Sequence, residues 1–345
     1  MKKGRPFLKH IHYFRGVAII NIMIPHLWEI PFPYKDSQEA VSHLVDLLRE
    51  VMFHDTTIYF VYISGFLFYY LSPKFKLIKY YKGKLFNVIC PYIFMTILVY
   101  ILKYGGGSFS IDSFFSSCHE IAVSLLYGTA QIQYWYIPFI SLVFIISPLL
   151  LNTSFVMSKS FLIFVSILPL LGTRTGSDLS VWQYVYFLPV YIQGMYIAKN
   201  YDDFLGIIKK RKIFIVLSMV ISSLLIIYLY DNPLRYKMID VSESLYYIQK
   251  LSIGALFILI LQRIENVHIG LLDKFAQYSF ALYFTHVIVK NMFPTYHYYL
   301  FLSKSSVLIF FASIFHVILV ILLALFICFF IKKILGQRTR YFIGA

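Results

Sequence analysis

Residues 305–331 read SSVLIFFASIFHVILVILLALFICFFI. No Asp, Glu, Lys or Arg interrupts them, and about 20 apolar residues suffice for a helix to cross a hydrocarbon core of about 30 Å. The segment is a membrane span, and the rest of the chain follows its pattern. Similar apolar runs, bounded by charge or turn residues, lie near 8–30, 51–72, 85–102, 133–152, 160–172, 180–198, 213–230, 244–262 and 275–293. The run at 160–172 is short and the stretch 114–128 is amphipathic, so nine or eleven crossings are alternatives to ten. Of 345 residues, 59% are hydrophobic and 14% charged, with mean hydropathy +0.73. Soluble domains hold about 45–50% apolar residues, which excludes an ordinary soluble enzyme. The expected architecture is all-α: one polytopic membrane domain over residues 1–345, a bundle of about ten transmembrane helices.

The excess of 31 Lys and Arg over 16 Asp and Glu, a net charge of +15, would suggest nucleic acid in a soluble protein. Here it follows the positive-inside rule. If residue 1 is cytoplasmic, the connections on that side carry about 21 Lys and Arg and the opposite ones about 8, so both termini are expected in the cytoplasm of a cell-membrane protein. Lys74, Lys76, Lys79, Lys82 and Lys84, with Lys209, Lys210, Arg211 and Lys212, supply most of the bias. These clusters are either solvated topology signals or a surface for a phosphate-bearing cytosolic ligand. No nucleic-acid partner is needed. Most acids fall on the outer side, where the connections 31–50, 103–132 and 231–243 are longest and suit a binding rim.

Cys90, Cys118 and Cys328 are scattered without metal-ligand spacing, so neither a disulfide framework nor a bound metal is expected. The basic start is read as the flank of an uncleaved first span, because Arg15 breaks the apolar run and no small-residue cleavage site follows. Gly105-Gly106-Gly107-Ser108 is an outer connection, not a phosphate loop. Prolines 25, 91, 138, 148, 169 and 189 lie within spans, where they kink helices and release carbonyls.

Ionisable groups at membrane depth are costly and need a partner or a task. Arg15 and His26, eleven residues apart, are separated by about 16 Å of helical rise and lie about 20° from alignment. A phosphate-holding guanidinium and a titratable base thus share one wall at opposite depths. One reading is a transmembrane acyl-transfer site, with Arg15 anchoring a nucleotide-phosphate cofactor inside and His26 deprotonating a hydroxyl outside. The other has Arg15 snorkelling and His26 hydrogen-bonded within the bundle.

The stretch FRGVAIINIMIPHLW (14–28) resembles the first-span signature of the acyltransferase-3 family of integral membrane acyltransferases, an Arg followed by a His with small and apolar residues between. FVYISGFLFYY (60–70) is similar to the family's second-span Ser-Gly element, and the basic stretch before PYIF (91–94) to the beginning of its third span. QYWYIPFISLVFIISPLL (133–150) is similar to its Trp-aromatic span, and SFALYFTHVIV (279–289) to its Ser-x-x-x-Tyr-x-x-His span. The resemblance covers most of the chain.

That resemblance implies an acyl-CoA-dependent O-acyltransferase that moves an acyl group, commonly acetyl, to a sugar hydroxyl of an extracytoplasmic polysaccharide or glycan precursor. Intercellular-adhesin poly-N-acetylglucosamine systems are among the settings of its relatives. Acyl-CoA is a co-substrate, with no permanently bound cofactor, and a polysaccharide synthase complex is a possible partner. Carried over, His26 is the catalytic histidine and Arg15 the arginine near the CoA phosphates. Ser64 and Gly65 match an element where the pantetheine passes, and Trp135 and His286 match later signatures expected to meet substrate. Lys82 and Lys84 stand where members often carry arginines and lack the bidentate fork.

An acid beside His26 would orient it. Asp55, at the start of the second span, and Glu29, three residues on from His26, are the candidates, a solvated role for both being the alternative. Lys250 is read as snorkelling to the outer surface, His316 as a packing residue, and His54, His119 and His297 as interfacial. Clusters Tyr134, Trp135, Tyr136 and Tyr296, Tyr298, Tyr299 could stack on sugar rings. The competing function is a polysaccharide exporter or transporter component, against which stands the lack of a repeated half.

Overall fold

A computed structural model describes residues 6–30, 39–104, 111–151, 153–172, 179–236, 239–293 and 305–345, with the backbone alone for 104, 111–115 and 236. His297, Tyr296, Tyr298, Tyr299, the Gly105–Ser108 connection and the side chain of Asp112 lie outside the described residues. The helices are α1 Lys9–Leu27, α2 Glu39–Phe53, α3 Thr57–Tyr70, α4 Leu77–Lys84, α5 Cys90–Tyr104, α6 Ile111–Tyr127 and α7 Tyr136–Leu151. They continue as α8 Lys159–Leu171, α9 Val181–Lys199, α10 Tyr201–Lys210, α11 Lys212–Leu229, α12 Val241–Arg263, α13 Gly270–Met292, α14 Ser306–Leu335 and α15 Thr339–Phe342. The two short strands β1, Arg235–Tyr236, and β2, Ile239–Asp240, pair antiparallel.

The protein is an all-α membrane protein, and the apolar runs map onto helices, the run 51–72 being divided by the turn 54–56 between α2 and α3. Among the described residues, five segments are long and apolar enough to cross a membrane: Glu39–Tyr70, Leu77–Lys103, Lys212–Leu229, Val241–Arg263 and Ser306–Phe342. Tyr136–Leu151 and Lys159–Leu171 are apolar but shorter. Helices α1, α9 and α13 have the length, 19, 19 and 23 residues, but carry more polar side chains. The amphipathic stretch 114–128 lies on α6.

Contacts divide the chain into two compact units. One comprises residues 1–7, 61–201 and 332–345, the other 8–60 and 202–331. Within the first unit, α3 and α9 meet at a pair of glycines. A Cβ at Gly65 would overlap the backbone of Tyr191, and one at Gly194 would overlap that of Tyr62. Lipid tails give helices no hydrophobic reason to associate, so close backbone approach at small residues has to supply dispersion contact instead. In α7, Pro148 has no N–H for the carbonyl of Phe144, and the Tyr80 hydroxyl donates to that oxygen at 3.2 Å. A π turn, Leu85–Ile89, joins α4 to α5 just before Pro91, a wider turn that tolerates the missing donor.

Within the second unit α1 lies along α13, while α11 packs on α12. Gly16 permits the first contact: a Cβ there would stand 2.7 Å from the Leu272 carbonyl oxygen and 3.1 Å from the Ala276 nitrogen. Pro25, inside α1, leaves the Asn21 carbonyl without its helical donor. Thr56 Oγ1 lies 3.1 Å from that oxygen and 3.1 Å from the Phe53 carbonyl. In both units a hydroxyl serves a carbonyl released by proline, as membrane-depth backbone requires.

Candidate functional site

The first half of α1 is tied to α13 and the turn before it by a series of polar side chains. Lys9 Nζ donates to the Val267 carbonyl at 3.2 Å, and the Tyr13 hydroxyl donates to the same oxygen at 3.1 Å while accepting from the Ile269 N–H at 3.1 Å. His10 Nδ1 meets Glu265 Oε2 at 2.7 Å, and His12 Nε2 meets Asp273 Oδ1 at 3.0 Å. One turn further, Arg15 Nε donates to the Ala276 carbonyl at 2.9 Å. That bond uses one of five guanidinium donors and turns the fork toward α13, leaving the terminal nitrogens available to an anion. None of this clamp around Arg15 is a local contact, because its partners lie some 250 residues away in sequence.

At the other end of the same seam, the His26 ring lies 5.6 Å from the His286 ring, centroid to centroid, tilted by 41°. His286 is wholly buried at 0% exposure. Its Nδ1 is 2.8 Å from the Leu282 carbonyl, which accepts, so the proton belongs on Nδ1 and Nε2 keeps its lone pair. That Nε2 has no hydrogen-bond partner among the described residues. Lys290, one turn on from His286, donates to the His26 carbonyl at 2.9 Å and pairs with Glu29 Oε1 at 2.6 Å. A cation on the last carbonyls of α1 complements the negative end of the helix.

Arg15 and His26 therefore both meet α13, at opposite ends of one helix pair. Glu29, named as a candidate to orient His26, is engaged by Lys290, and Asp55, the other, has its Oδ1 3.6 Å from His54 Nε2. His286 stands beside His26. Neither Lys290 nor the tautomer set by Leu282 was singled out from the sequence. The spacing of His286 and Lys290, four residues on one helix face, is the signal that could have found them.

The remaining predicted residues belong to the first unit. Gly65 lies against the Tyr191 backbone, a close contact between helices. Ser64 lies beside Tyr136. Lys84 Nζ sits over the Phe144 ring, 3.5 Å from its centroid, whereas Lys82 is exposed. Trp135 is buried against Phe187, with ring centroids 5.2 Å apart, and Gly128, at φ +74°, brings the backbone against it. Trp135 and Tyr134 are interior residues, which corrects the expectation that this cluster presents rings to a sugar at the surface.

One further reading changes. Lys250 does not snorkel: it is 0% exposed and donates to the Val51 and Met52 carbonyls at 3.1 and 3.2 Å, closing the end of α2. It also meets Gln249 Oε1. His54 is held by Glu50, whose Oε1 is 2.7 Å from Nδ1, and stacks on Tyr246 at 4.2 Å. In the same unit an apolar cavity of about 400 Å³ is lined by Ile20, Ile24, Trp28, Phe275, Val317 and Ile321, among others. Its walls favour hydrocarbon.

A family model described as an acyltransferase domain, that of the acyltransferase-3 family, matches residues 8–333. The chain belongs to the acyltransferase-3 family. No curated protein and no solved structure matches it. As a member it is a membrane acyltransferase, and the matched region contains both units apart from their outermost terminal residues. Arg15, His26 and His286, which line the α1–α13 seam, all fall within that match.

Proposed function

We propose that the protein transfers an acyl group, acetyl in the simplest case, from cytosolic acyl-CoA to a sugar hydroxyl of a polysaccharide or glycan precursor outside the cell membrane. The observation that carries this reading is the seam itself: one helix, α1, presents a guanidinium and an imidazole to the same partner helix, about 16 Å apart along the axis. That span is comparable to a pantetheine arm. Arg15 holds a CoA phosphate, and His26 receives the proton of the acceptor hydroxyl. The hydroxyl oxygen attacks the thioester carbonyl, the C–O bond forms as the C–S bond breaks, and the proton passes from His26 to the departing thiolate.

His286 acts as a positioning residue for His26. Its fixed tautomer keeps a lone pair beside the reacting ring, and Lys290 anchors the backbone of His26. Lys82 and Lys84 remain candidates for attracting the anionic donor, Lys84 with less freedom because of its seat on Phe144. Family membership favours transfer over export. Lipid-linked acceptors and association with a polysaccharide synthase fit the same reading.

The test uses purified protein in detergent, acetyl-CoA labelled in the acetyl group, and surface glycan as acceptor. Wild type labels the glycan and His26→Ala does not, while eluting as the same folded species. Equal labelling by both would end the proposal. Mass spectrometry of surface glycans from cells with either form then identifies the modified sugar.

A further inference from the structure

A second polar cluster, separate from the α1–α13 seam, lies where the turn after α2 meets the first turn of α12. His54 Nε2 is sealed from solvent and has no hydrogen-bond partner among the described residues. It faces two carboxylates, with Asp55 Oδ1 and Glu243 Oε1 each at 3.6 Å. Both distances are too long for a hydrogen bond. They do match the separation of two ligand atoms on one metal ion: bonds of about 2.1–2.2 Å at a tetrahedral angle place neighbouring ligands about 3.4–3.6 Å apart. One ligand atom from each of His54, Asp55 and Glu243 falls within a mutual 4.8 Å.

The surroundings have the form of a metal ligand's support. Glu50 Oε1 accepts from His54 Nδ1 at 2.7 Å, so that in the neutral imidazole Nε2 is the bare nitrogen and is aimed at the carboxylates, the carboxylate–histidine–metal arrangement. Tyr246 holds Glu50 through its hydroxyl at 3.3 Å and stacks on the imidazole. The Asp55 side chain is 0% exposed. The carboxylates of Glu50, Asp55 and Glu243 gather around one imidazole, and a divalent cation would offset their charge.

We propose that His54, Asp55 and Glu243 bind one divalent transition-metal ion of the zinc class. One imidazole and two carboxylates suit zinc or a similar borderline ion better than calcium or magnesium, which favour oxygen-only sets. The ion and its two carboxylate ligands are neutral together, and it ties the α2–α3 turn to α12. The fourth position is open to water.

The experiment takes the full-length protein in detergent, removes metal with EDTA, dialyses, and titrates with zinc chloride. Elemental mass spectrometry gives the stoichiometry and thermal unfolding the stabilisation. Wild type takes up one tightly held equivalent and its Tm rises. His54→Ala and Glu243→Gln weaken zinc binding at least 100-fold, and Glu50→Gln, which removes only the support of the imidazole, weakens it about 10- to 100-fold. If a variant does not fold, cobalt(II) added to stripped wild type reports in its place, through visible bands of a four-coordinate nitrogen–oxygen site. No zinc above the buffer blank in wild type, no cobalt bands, or unchanged affinity in folded variants overturns the proposal. Acyl transfer does not enter these readouts, so the outcome is independent of the catalytic reading.

Discussion

Lys290 on α13 donates to the main-chain oxygen of His26 at 2.9 Å, so the helix that supplies the neighbouring imidazole also fixes the backbone of the proposed base. Replacing it by Met removes this anchor and the partner of Glu29 without changing the side chain of His26. Lys290→Met is expected to lower kcat for acyl transfer roughly tenfold with the KM for acetyl-CoA unchanged, since catalytic groups act only when held in register. Steady-state kinetics decides. A rise in KM with unaltered kcat would place the effect in donor binding instead.

His286 can be separated from its packing role by substitution with Phe. The ring fills most of the same buried space, so stability should change by no more than about 1.5 kcal/mol, while the Nε2 lone pair disappears. Acyl transfer should fall by about tenfold or more, within the range of a lost acid–base or positioning contribution. Full activity in a folded His286→Phe protein would mean that this histidine only packs.

Proline and hydroxyl can be tested against each other through the Asn21 carbonyl. Thr56→Val removes the one hydroxyl proton shared between the Asn21 and Phe53 carbonyls, of which the Phe53 oxygen keeps the Thr56 N–H, and should cost about 1–3 kcal/mol. Pro25→Ala returns an N–H to the helix at the position that reaches Asn21. In the double variant the cost of Thr56→Val should shrink by a measurable coupling energy, on the order of 0.5 kcal/mol or more. Strictly additive Tm shifts would show that the two groups do not serve the same oxygen.

Glycines provide an internal control. Gly16→Ala and Gly65→Ala press a methyl onto backbone of α13 and α9 and should each cost about 1–3 kcal/mol. Gly206, in α10, has nothing within 4 Å of its would-be Cβ, so Gly206→Ala should stabilise by up to about 1 kcal/mol. Thermal unfolding of the three proteins in one detergent orders them. A neutral Gly65→Ala would show that α3 and α9 separate at little cost.

The helices were legible because apolar length is a local property, although the turn that divides the run 51–72 at residues 54–56 was not, and the amphipathic stretch 114–128 lies almost wholly on α6. Arg15 and His26 were legible as residue types out of place in lipid. Partnership was not. Lys250 was read as reaching for water because a lysine stem can snorkel, yet carbonyls at the end of α2, almost 200 residues earlier, satisfy it more directly. The neighbours of His54 and Gly65 were equally beyond a local reading, since Glu243 and the Tyr191 backbone arrive from distant helices.

The polar attachments of α1 have a cost in time. Lys9, His10, His12, Tyr13, Arg15 and His26 all find partners between residues 265 and 290. At about 5–20 residues per second of translation, the first helix waits roughly 12 to 50 s before those groups emerge from the ribosome. During that interval its guanidinium and imidazoles must be sheltered by headgroups, water or the insertion machinery. The newborn chain is consequently most exposed to quality-control proteases while its first helix is already made and α13 is not.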